Sequence, residues 1–384
     1  MLRLICVLVP LYAVEGAAQA APVPGLAVAD SMAAAEFARD SAASITVGVV
    51  SAGELIWTRS FGFADVRTRR PADRNTVYRI GSITKPFTAV MLLQLMEAGT
   101  LRLSDPVARF FPEIASIGGA GAGDPPVTFH HLATMTSGLP REPREEGPFW
   151  TGPVDRWQAT LLDALPHASF EAVPGMRFEY SNLGYAVLGA ALERAAGVPY
   201  VQWQRERILE PLGMHHTAFE VDPAMARVLA TGYEIGEDGT PDETVPVREL
   251  REGRGYKVPN GALFTTVDDL ARFVSFQLGH GPEAVLPHAA LNRAFAGAVA
   301  TSADLDVGYG LGFMVMRRGD FTWLGHNGGV AGYTAMMYFD REHQLGVIVL
   351  RNATGGRARI GRLAPDMLRT LIDARLAAAL PAGN

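Results

Sequence analysis

The distribution of strand and helix signals along the chain most strongly limits its fold. Apolar, β-branched segments occur near both ends, whereas residues from about 100 to 245 contain helical patches separated by turn clusters. Strands that lie so far apart in the sequence can share one sheet only if the chain returns to it. The pattern therefore predicts one mixed sheet built from both ends of the chain, with a helical region inserted between them.

Individual elements follow from the same patterns. Ala52-Gly53 separates two apolar runs and predicts a β-hairpin with a short turn. The other predicted elements are helices over 27–43, 84–98, 183–196, 200–208 and 360–380, strands over 45–51, 55–62, 76–80, 321–325, 333–339 and 346–350, and a turn at Asn327-Gly328-Gly329. This organisation assigns about 27–80 and 250–384 to a sheet part and about 81–249 to a helical part.

The N-terminus has the three parts of a secretory signal peptide. Arg3 precedes an apolar run over residues 4–14, and Ala18-Gln19-Ala20 forms an A-x-A cleavage pattern. The run is too short to span a bilayer, and Pro10 argues against the alternative of a buried helix. We therefore expect a signal peptide over 1–20, a secreted or periplasmic mature domain over 21–384, and no stable membrane anchor after signal removal.

Composition excludes several kinds of chemistry. The single cysteine, Cys6, lies in the predicted signal, so the mature domain has neither a cysteine nucleophile nor a thiolate metal site. A net charge of −6 argues against nucleic-acid binding. Of the 34 basic residues only Lys85 and Lys257 are lysines. Lysine, unlike arginine, can lose its proton when buried and can then act as a base.

Ser82 and Lys85 form the first candidate catalytic pair. They lie three residues apart where a short strand gives way to an apolar helix, and residues at this spacing share one helix face. A serine hydroxyl needs a neighbouring base, and burial lowers the pKa of lysine enough to make it one. The helix N-terminus favours developing negative charge. The pair therefore predicts a Ser82 nucleophile activated by Lys85, although Ser-x-x-Lys alone arises often by chance.

Two further motifs follow in order. In Tyr180-Ser181-Asn182, Tyr180 offers a phenolic acid or base and Asn182 an amide for a substrate carbonyl, or the motif is simply a turn that caps a helix. In the glycine-rich segment 325–329, the N–H of Gly329 can join that of Ser82 in an oxyanion hole. His326 can donate a hydrogen bond or a proton there, or lie on the surface of a hairpin turn.

These three motifs together resemble the serine β-lactamase and penicillin-binding protein superfamily. The closest resemblance is to class C β-lactamases, D,D-peptidases and the esterases built on the same fold. The stretches 136–140, 178–185 and 259–273 are also similar to recurrent family segments. The resemblance implies an α/β (α+β) fold of the β-lactamase/transpeptidase type, with a mainly antiparallel sheet flanked by N- and C-terminal helices and an inserted helical subdomain. It also implies that Ser82 is acylated, that Lys85 and Tyr180 move its proton, and that Asn182, His326, Gly328 and Gly329 bind substrate.

His326 departs from the β-lactamase pattern, which has lysine there, and resembles some D,D-peptidases and D-aminopeptidases. Because histidine is largely neutral at pH 7, a substrate carboxylate would lose a fixed positive partner. Arg351 either supplies that charge or is a solvated strand end. The substrate thus stays open among β-lactams, peptides ending in D-alanine and small esters. A penicillin-binding module that is acylated without turnover is a further alternative.

Other classes find little support. No serine has glycine both two residues before and two residues after it, as an α/β-hydrolase would require. The histidine pairs 130–131 and 215–216 are adjacent and lack metal-ligand spacing. We therefore expect no metal and no cofactor, and a small-molecule or peptide substrate. The loops 115–126 and 141–152 are expected to shape access, with Trp150 either lining the cleft or packing. Oligomeric state is not readable from the sequence.

Overall fold

The computed structural model describes residues 23–119, 125–145, 147–301 and 306–379. The predicted signal peptide over 1–20, and parts of the two expected access loops, lie outside these ranges. The α-helices are α1 Leu26–Phe37, α2 Thr84–Glu97, α3 Phe129–Ala133, α4 Trp157–Ala164, α5 Asn182–Ala196, α6 Tyr200–Gln204, α7 Pro223–Val228, α8 Thr244–Glu252, α9 Val258–Gly261, α10 Val267–Gln277, α11 His288–Leu291 and α12 Ile360–Ala379.

The strands likewise come from both ends of the chain. They are β1 Ser44–Ser51, β2 Glu54–Asp65, β3 Arg70–Pro71, β4 Tyr78–Arg79, β5 Gly118–Gly119, β6 Ser169–Phe170, β7 Tyr233–Ile235, β8 Pro241–Asp242, β9 Phe264–Thr265, β10 Val299–Ala300, β11 Val307–Tyr309, β12 Met314–Arg318, β13 Phe321–Val330, β14 Tyr333–Asp340, β15 Leu345–Arg351 and β16 Ala353–Gly355.

One nine-stranded antiparallel sheet organises the molecule, in the order β10-β11-β12-β13-β14-β15-β1-β2-β3. The two ends of the chain meet where β1 pairs with β15, in the register that places Val47 opposite Val349. This pairing joins residues about 300 positions apart, and it confirms the predicted fold: a mainly antiparallel sheet with a helical region inserted in the chain.

Helices cover both faces of the sheet. The terminal helices α1 and α12 pack together on one face, over an apolar cluster that includes Val47, Val347 and Leu368. Helix α10 and the helical region cover the other face. Because β1 and β15 are buried on both sides, their sequences are mainly apolar and lack the regular alternation of a half-exposed strand.

Helix α2 forms the centre of the helical region. All but three of its fourteen residues are buried, and it packs against α5, α6 and α9. A helix that is apolar all round requires burial on every side, which explains the strong apolar run after Lys85. A 3₁₀ turn over Gly81–Ile83 leads directly into α2 from β4. The nucleophile candidate therefore lies at the junction of the sheet and the helical region.

Most predicted elements are confirmed within a few residues. Ala52 and Gly53 form the predicted two-residue turn, with φ values of 47° and 85° that match the twist of a tight hairpin. Three expectations were wrong. Helix α1 ends at Phe37, and the predicted strand over 76–80 is reduced to Tyr78–Arg79, which pairs with β9 outside the main sheet. The third is the turn predicted at 327–329, which is not formed.

The predicted turn at Asn327-Gly328-Gly329 is instead the continuation of strand β13, paired with β14 through Val330. Glycine is needed in this part of β13 because the backbone of the strand lies very close to the backbone at Ile80. A β-carbon on Gly328 would lie 1.9 Å from the carbonyl oxygen of Ile80, which no other residue type could tolerate. The chain reverses at positions 331–332.

Within the described ranges, no helix combines the length and the apolar character needed to cross a membrane.

Candidate active site

Ser82 lies in the 3₁₀ turn before α2, half-buried at the surface of the junction. The preceding Gly81 has a φ of 51°, and a β-carbon there would lie 2.9 Å from the backbone nitrogen of Gly329. Glycine is needed at position 81 both for this left-handed conformation and for the contact with β13. The turn that carries Ser82 is thus held directly against the strand of the third motif.

Lys85 is fully buried beneath Ser82. Its Nζ atom lies 3.0 Å from Ser82 Oγ, 2.7 Å from Asn182 Oδ1 and 3.1 Å from the carbonyl oxygen of Asn260. Burial holds the pKa of Lys85 well below its ordinary value. The carboxylate of Glu142 opposes this shift, and the guanidinium groups of Arg141 and Arg254 add to it.

These contacts suit the neutral amine. A neutral lysine has two N–H bonds and one lone pair. The oxygens of Asn182 and Asn260 can only accept, so they take the two N–H bonds and leave the lone pair for the third neighbour, the hydroxyl of Ser82. The environment therefore favours a deprotonated Lys85 whose lone pair points at the proton of Ser82.

Asn182 begins helix α5 and connects Lys85 to a carboxylate. Its Nδ2 donates to Glu142 Oε1 at 2.7 Å, and the hydroxyl of Tyr256 donates to the other oxygen of Glu142. Because a carboxylate only accepts, Glu142 determines which end of the Asn182 amide faces Lys85. The cap of α5 is Ser181, whose hydroxyl accepts from Gly184 N. The motif therefore caps the helix through Ser181, and Asn182 is also placed against Lys85.

Hydrogen bonds connect the segment around Asn260 to helices α5 and α2. Asn260 Nδ2 donates to the carbonyl of Asn182 at 2.8 Å, and the hydroxyl of Thr88 in α2 donates to the carbonyl of Pro259 at 2.6 Å. These bonds fix the Asn260 carbonyl against Lys85. A backbone acceptor carries no side-chain signature, although residues 259–261 belong to a segment that the sequence singled out.

Tyr180 lies half-buried beside the pair. Lys85 Nζ is 4.8 Å from the centre of its ring, and the Arg141 guanidinium lies 5.0 Å from the same ring. Burial raises the pKa of Tyr180 to about 12, although its hydrogen bond with Ser82 opposes the shift. The phenol is therefore protonated at neutral pH, and its hydroxyl reaches the nucleophile as a neutral group.

The backbone of β13 completes the arrangement around Ser82. The site that a β-carbon of Gly328 would occupy is 3.1 Å from Ser82 N, whereas a β-carbon on Gly329 would meet nothing within 4 Å. Gly328 is buried and Gly329 is exposed. The two predicted oxyanion donors, Ser82 and Gly329, thus belong to backbone segments in contact, and Gly329 borders open space.

His326 is fully buried below this surface. Its Nδ1 donates to the carbonyl of Asn327, and its Nε2 accepts from the hydroxyl of Tyr309 at 3.0 Å. Burial, and then the charge of Lys85, lower the pKa of His326 to about 3. The ring is therefore neutral across the physiological range, and both of its nitrogens have protein partners.

Other candidates of the sequence lie elsewhere or pack. Arg351 is only 3% exposed and pairs with Asp40 at 2.9 Å, so it is neither a solvated strand end nor a charge in the site. Trp150 packs under Lys257, whose Nζ lies 3.8 Å from the ring centre. In the part of the chain that the structure describes, no group of three or more acidic, histidine or cysteine side chains could hold a metal ion.

The comparison with known families agrees with this geometry. The family model described as Beta-lactamase matches residues 28–368. The chain belongs to the Beta-lactamase family. Its likeness to solved family structures spans nearly the whole chain. The octameric penicillin-binding protein homologue from Pyrococcus abyssi superposes with a TM-score of 0.75 at 27% identity, over 92% of this chain and 77% of that one.

A solved mutant of a class C β-lactamase gives the same TM-score of 0.75 over 90% of this chain and 97% of its own, at 19% identity, which shows the shared fold. Two curated proteins are also similar. Beta-lactamase-like protein 2 of Dictyostelium discoideum is 31% identical over 79% of this chain, and Putative beta-lactamase-like 1 of Homo sapiens is 29% identical over 80%. The chain spans only 55% and 61% of the lengths of these two relatives.

Sequence reasoning thus named most side chains that converge on Ser82 in this Beta-lactamase family member, but it missed Glu142, Tyr256 and the Asn260 carbonyl. Glu142 stands two positions after the 136–140 stretch, in a loop without periodicity. Its only sequence signal is the proximity to that stretch.

Proposed function

We propose that this protein is a serine hydrolase that cleaves esters or amides through an acyl-enzyme on Ser82. The observation that carries the proposal is the position of Lys85, buried, with Nζ 3.0 Å from Ser82 Oγ and two carbonyl oxygens holding its N–H bonds. A base so placed can take the serine proton without first losing one of its own. Membership in the Beta-lactamase family supports the same chemistry.

The reaction has two halves. Ser82 Oγ attacks the substrate carbonyl carbon while its proton passes to Lys85 Nζ, and the N–H groups of Ser82 and Gly329 stabilise the oxyanion. The proton then passes, through the Tyr180 hydroxyl, to the leaving alcohol or amine as its bond to the carbonyl breaks. Water next attacks the carbonyl carbon of the Ser82 ester and gives one proton to Lys85 Nζ. Lys85 passes that proton to Ser82 Oγ as the ester bond breaks, so that the carboxylic acid leaves and the free serine and the neutral amine are restored.

The glycine-rich segment 325–329, the third motif, favours substrates that carry no carboxylate near His326. His326 is buried and neutral where the family pattern of β-lactamases has a lysine. A neutral, fully hydrogen-bonded ring offers no counter-charge to the carboxylate of a β-lactam or of a peptide C-terminus. Carboxylesters and amides of uncharged leaving groups therefore fit better than β-lactams do.

A second candidate, β-lactam hydrolysis, rests on Arg141. This side chain is exposed, and its guanidinium lies 5.0 Å from the centre of the Tyr180 ring. It is therefore near enough to the reaction centre to offer a positive charge to a substrate carboxylate in place of the missing lysine.

A parallel substrate panel tests both candidates. Wild type and Ser82→Ala are compared on a short p-nitrophenyl ester, a chromogenic cephalosporin and a peptide ending in D-Ala-D-Ala, with intact mass recorded after each. We expect ester turnover that Ser82→Ala abolishes. Equal activity of the two proteins on every substrate would contradict the proposal. A mass adduct that persists after the cephalosporin would indicate a penicillin-binding module without turnover.

We also propose that the protein is exported, on the basis of the signal pattern over residues 1–20. Expression with the native N-terminus should yield a mature protein that begins at Ala21. Retention of residues 1–20 in the intact mass of the secreted or periplasmic fraction would contradict the cleavage, and absence from both fractions would contradict export.

A further inference from the structure

A cavity of about 420 Å³ lies apart from the candidate active site. Helices α7 and α8 and strand β9 contribute to its lining, as does Arg79, which precedes Ser82 by three positions. The side chains of Lys85, Tyr180 and Asn182, which surround the nucleophile, do not line it. The cavity is therefore a separate feature, built from residues that the acyl-transfer steps do not use.

Much of the cavity lining is apolar. The apolar side chains of the wall include Val154, Phe219, Val221, Leu229, Leu250 and Phe264. Leu250 is exposed on α8, so this wall reaches the surface of the molecule. A concave site of this volume with apolar walls is of the kind that holds the body of a small organic molecule.

Three charged side chains of the lining form an unbalanced group. Arg79 is 2% exposed, and Arg254 and Glu249 are each less than a quarter exposed. Glu249 Oε1 accepts from Arg79 Nη2 at 2.7 Å and from Arg254 Nη1 at 2.5 Å. Burial alone would raise the pKa of Glu249, but the two guanidinium groups lower it to about 2. Because arginine stays protonated, the group holds two positive charges and one negative charge, and one positive charge is uncompensated.

Part of the hydrogen-bonding capacity of the two guanidinium groups is unused. Arg79 Nε and Nη1 and Arg254 Nε are buried and have no hydrogen-bond acceptor among the described residues. The rings of Phe264 and Tyr333 lie 5.7 and 5.8 Å from the Arg79 guanidinium carbon and attract the cation without taking an N–H bond. A buried donor without an acceptor destabilises the protein. An anion in the cavity can accept these bonds when the Arg79 guanidinium turns toward it.

The other charges of the lining are weaker influences. Glu220, Arg251 and Glu252 are exposed, so water and salt screen them. The closest negative charge to the two guanidinium groups is Glu249 itself. An added anion therefore shares these cations with Glu249 and is repelled by it.

We propose that this cavity binds a monocarboxylate with an apolar body, such as a medium-chain fatty acid. The carboxylate accepts from the unused donors of Arg79 and Arg254 and supplies the one negative charge that the group lacks. The apolar body packs against Phe219, Leu229 and Leu250, where it leaves water. Binding at this site does not depend on acylation of Ser82.

Calorimetry on the purified protein tests the chemistry of the ligand. Octanoate is compared with octanamide, which lacks the charge, and with acetate, which lacks the apolar body. We expect octanoate to bind at least tenfold more tightly than either, a difference of about 1.4 kcal/mol. Equal affinities for octanoate and octanamide, or no measurable binding of octanoate, would overturn the inference.

Two variants test the charges in opposite directions. Arg79→Met removes one cation, leaves Glu249 paired with Arg254, and should reduce the octanoate-to-octanamide ratio to less than about threefold. Glu249→Gln removes the repelling carboxylate and should strengthen octanoate binding by about threefold or more. Thermal melting shows whether each variant keeps the fold. Unchanged or weaker binding in a folded Glu249→Gln protein would show that the two guanidinium groups do not hold the ligand.

A third variant tests the wall without touching the charged group. Leu250→Asp places a negative charge in the exposed wall and should weaken octanoate binding by about fivefold or more, whether or not Arg79→Met folds. Leu376→Asp is the matched control, because Leu376 is also an exposed leucine but belongs to α12, which does not line the cavity. It should bind octanoate like wild type. Equal effects of the two substitutions would exclude the cavity.

A crystal structure with 8-bromooctanoate gives the position directly, because anomalous scattering identifies the bromine. We expect the bromine among Phe219, Leu229 and Leu250, with the carboxylate at Arg79. A bromine beside Ser82 would assign the carboxylate to the active site and would refute the separate cavity site.

Discussion

Gly328 and Ile80 pack backbone against backbone, so closely that a β-carbon on Gly328 would lie 1.9 Å from the Ile80 carbonyl oxygen. Through this contact a strand near the C-terminus touches the turn that carries Ser82. The distance between the two proposed oxyanion donors, the N–H groups of Ser82 and Gly329, therefore depends on a residue with no side chain. The glycines of segment 325–329 therefore allow the backbone of β13 to approach the turn that carries Ser82.

Gly328→Ala should consequently damage both stability and activity. Overpacking of this kind costs about 1–3 kcal/mol, and the displaced turn should lower kcat/KM for an ester at least tenfold. The free energy of unfolding in urea and the ester kinetics measure the two effects. Gly329→Ala is the control for stability, since its β-carbon would meet nothing within 4 Å. If both variants melted like wild type, the contact would not be as tight as described.

Lys85→Arg should abolish turnover while keeping a positive charge. Arginine stays protonated under all ordinary conditions, so it cannot accept the Ser82 proton. We expect kcat/KM to fall by about 100- to 10,000-fold, the usual contribution of a general base. Lys257→Arg is the matched control: it changes the only other lysine, over Trp150, and should leave the kinetics within about twofold of wild type. Equal losses in both variants would refute the role of Lys85.

The pH dependence of kcat/KM should show one acidic limb followed by a plateau. Activity requires neutral Lys85, so it rises as pH passes upward through the depressed pKa of this residue. Burial raises the pKa of Tyr180 to about 12, and His326, with its pKa lowered to about 3, stays neutral, so neither adds a limb between pH 5 and 9.

Glu142→Gln should move that acidic limb. The carboxylate stabilises the Lys85 ammonium and raises its pKa, so removing the charge lowers the pKa and shifts the limb to lower pH. Kinetics with a neutral ester across the pH range measure the shift, and Glu145→Gln should reproduce the wild-type profile. A shift toward higher pH would contradict the electrostatic account of the site.

The Arg351–Asp40 pair should matter for stability alone. Both side chains are less than a tenth exposed, and Asp40 also accepts from the backbone nitrogens of Arg357 and Ala358. Arg351→Met leaves a buried carboxylate without its cation, which costs about 3–5 kcal/mol. The exposed Arg205, paired with Glu206, gives a control in Arg205→Gln that should cost under about 1 kcal/mol. Denaturant unfolding distinguishes the two, and a small loss at Arg351 would argue against burial of the pair.

The sequence by itself determined what depends on local spacing. Ser82 and Lys85 meet because they lie three residues apart at the start of a helix. The hairpin at Ala52-Gly53 follows from the short break between two apolar runs and from Gly53, which adopts positive φ readily. The runs that become β1 and β15 are mainly apolar and rich in β-branched residues, so strands at both ends of the chain, and hence the class of fold, were readable from composition and periodicity.

Only the tertiary structure decided what depends on contacts between distant segments. The glycines at 328 and 329 look like a turn locally, and their extended conformation follows from packing against Ile80 and pairing with β14. Glu142 and the Asn260 carbonyl reach the site from aperiodic segments far along the chain from Lys85. Burial likewise makes His326 neutral and joins Arg351 to Asp40. Solvent exclusion is a property of the assembled fold, so no local pattern could show these charge states.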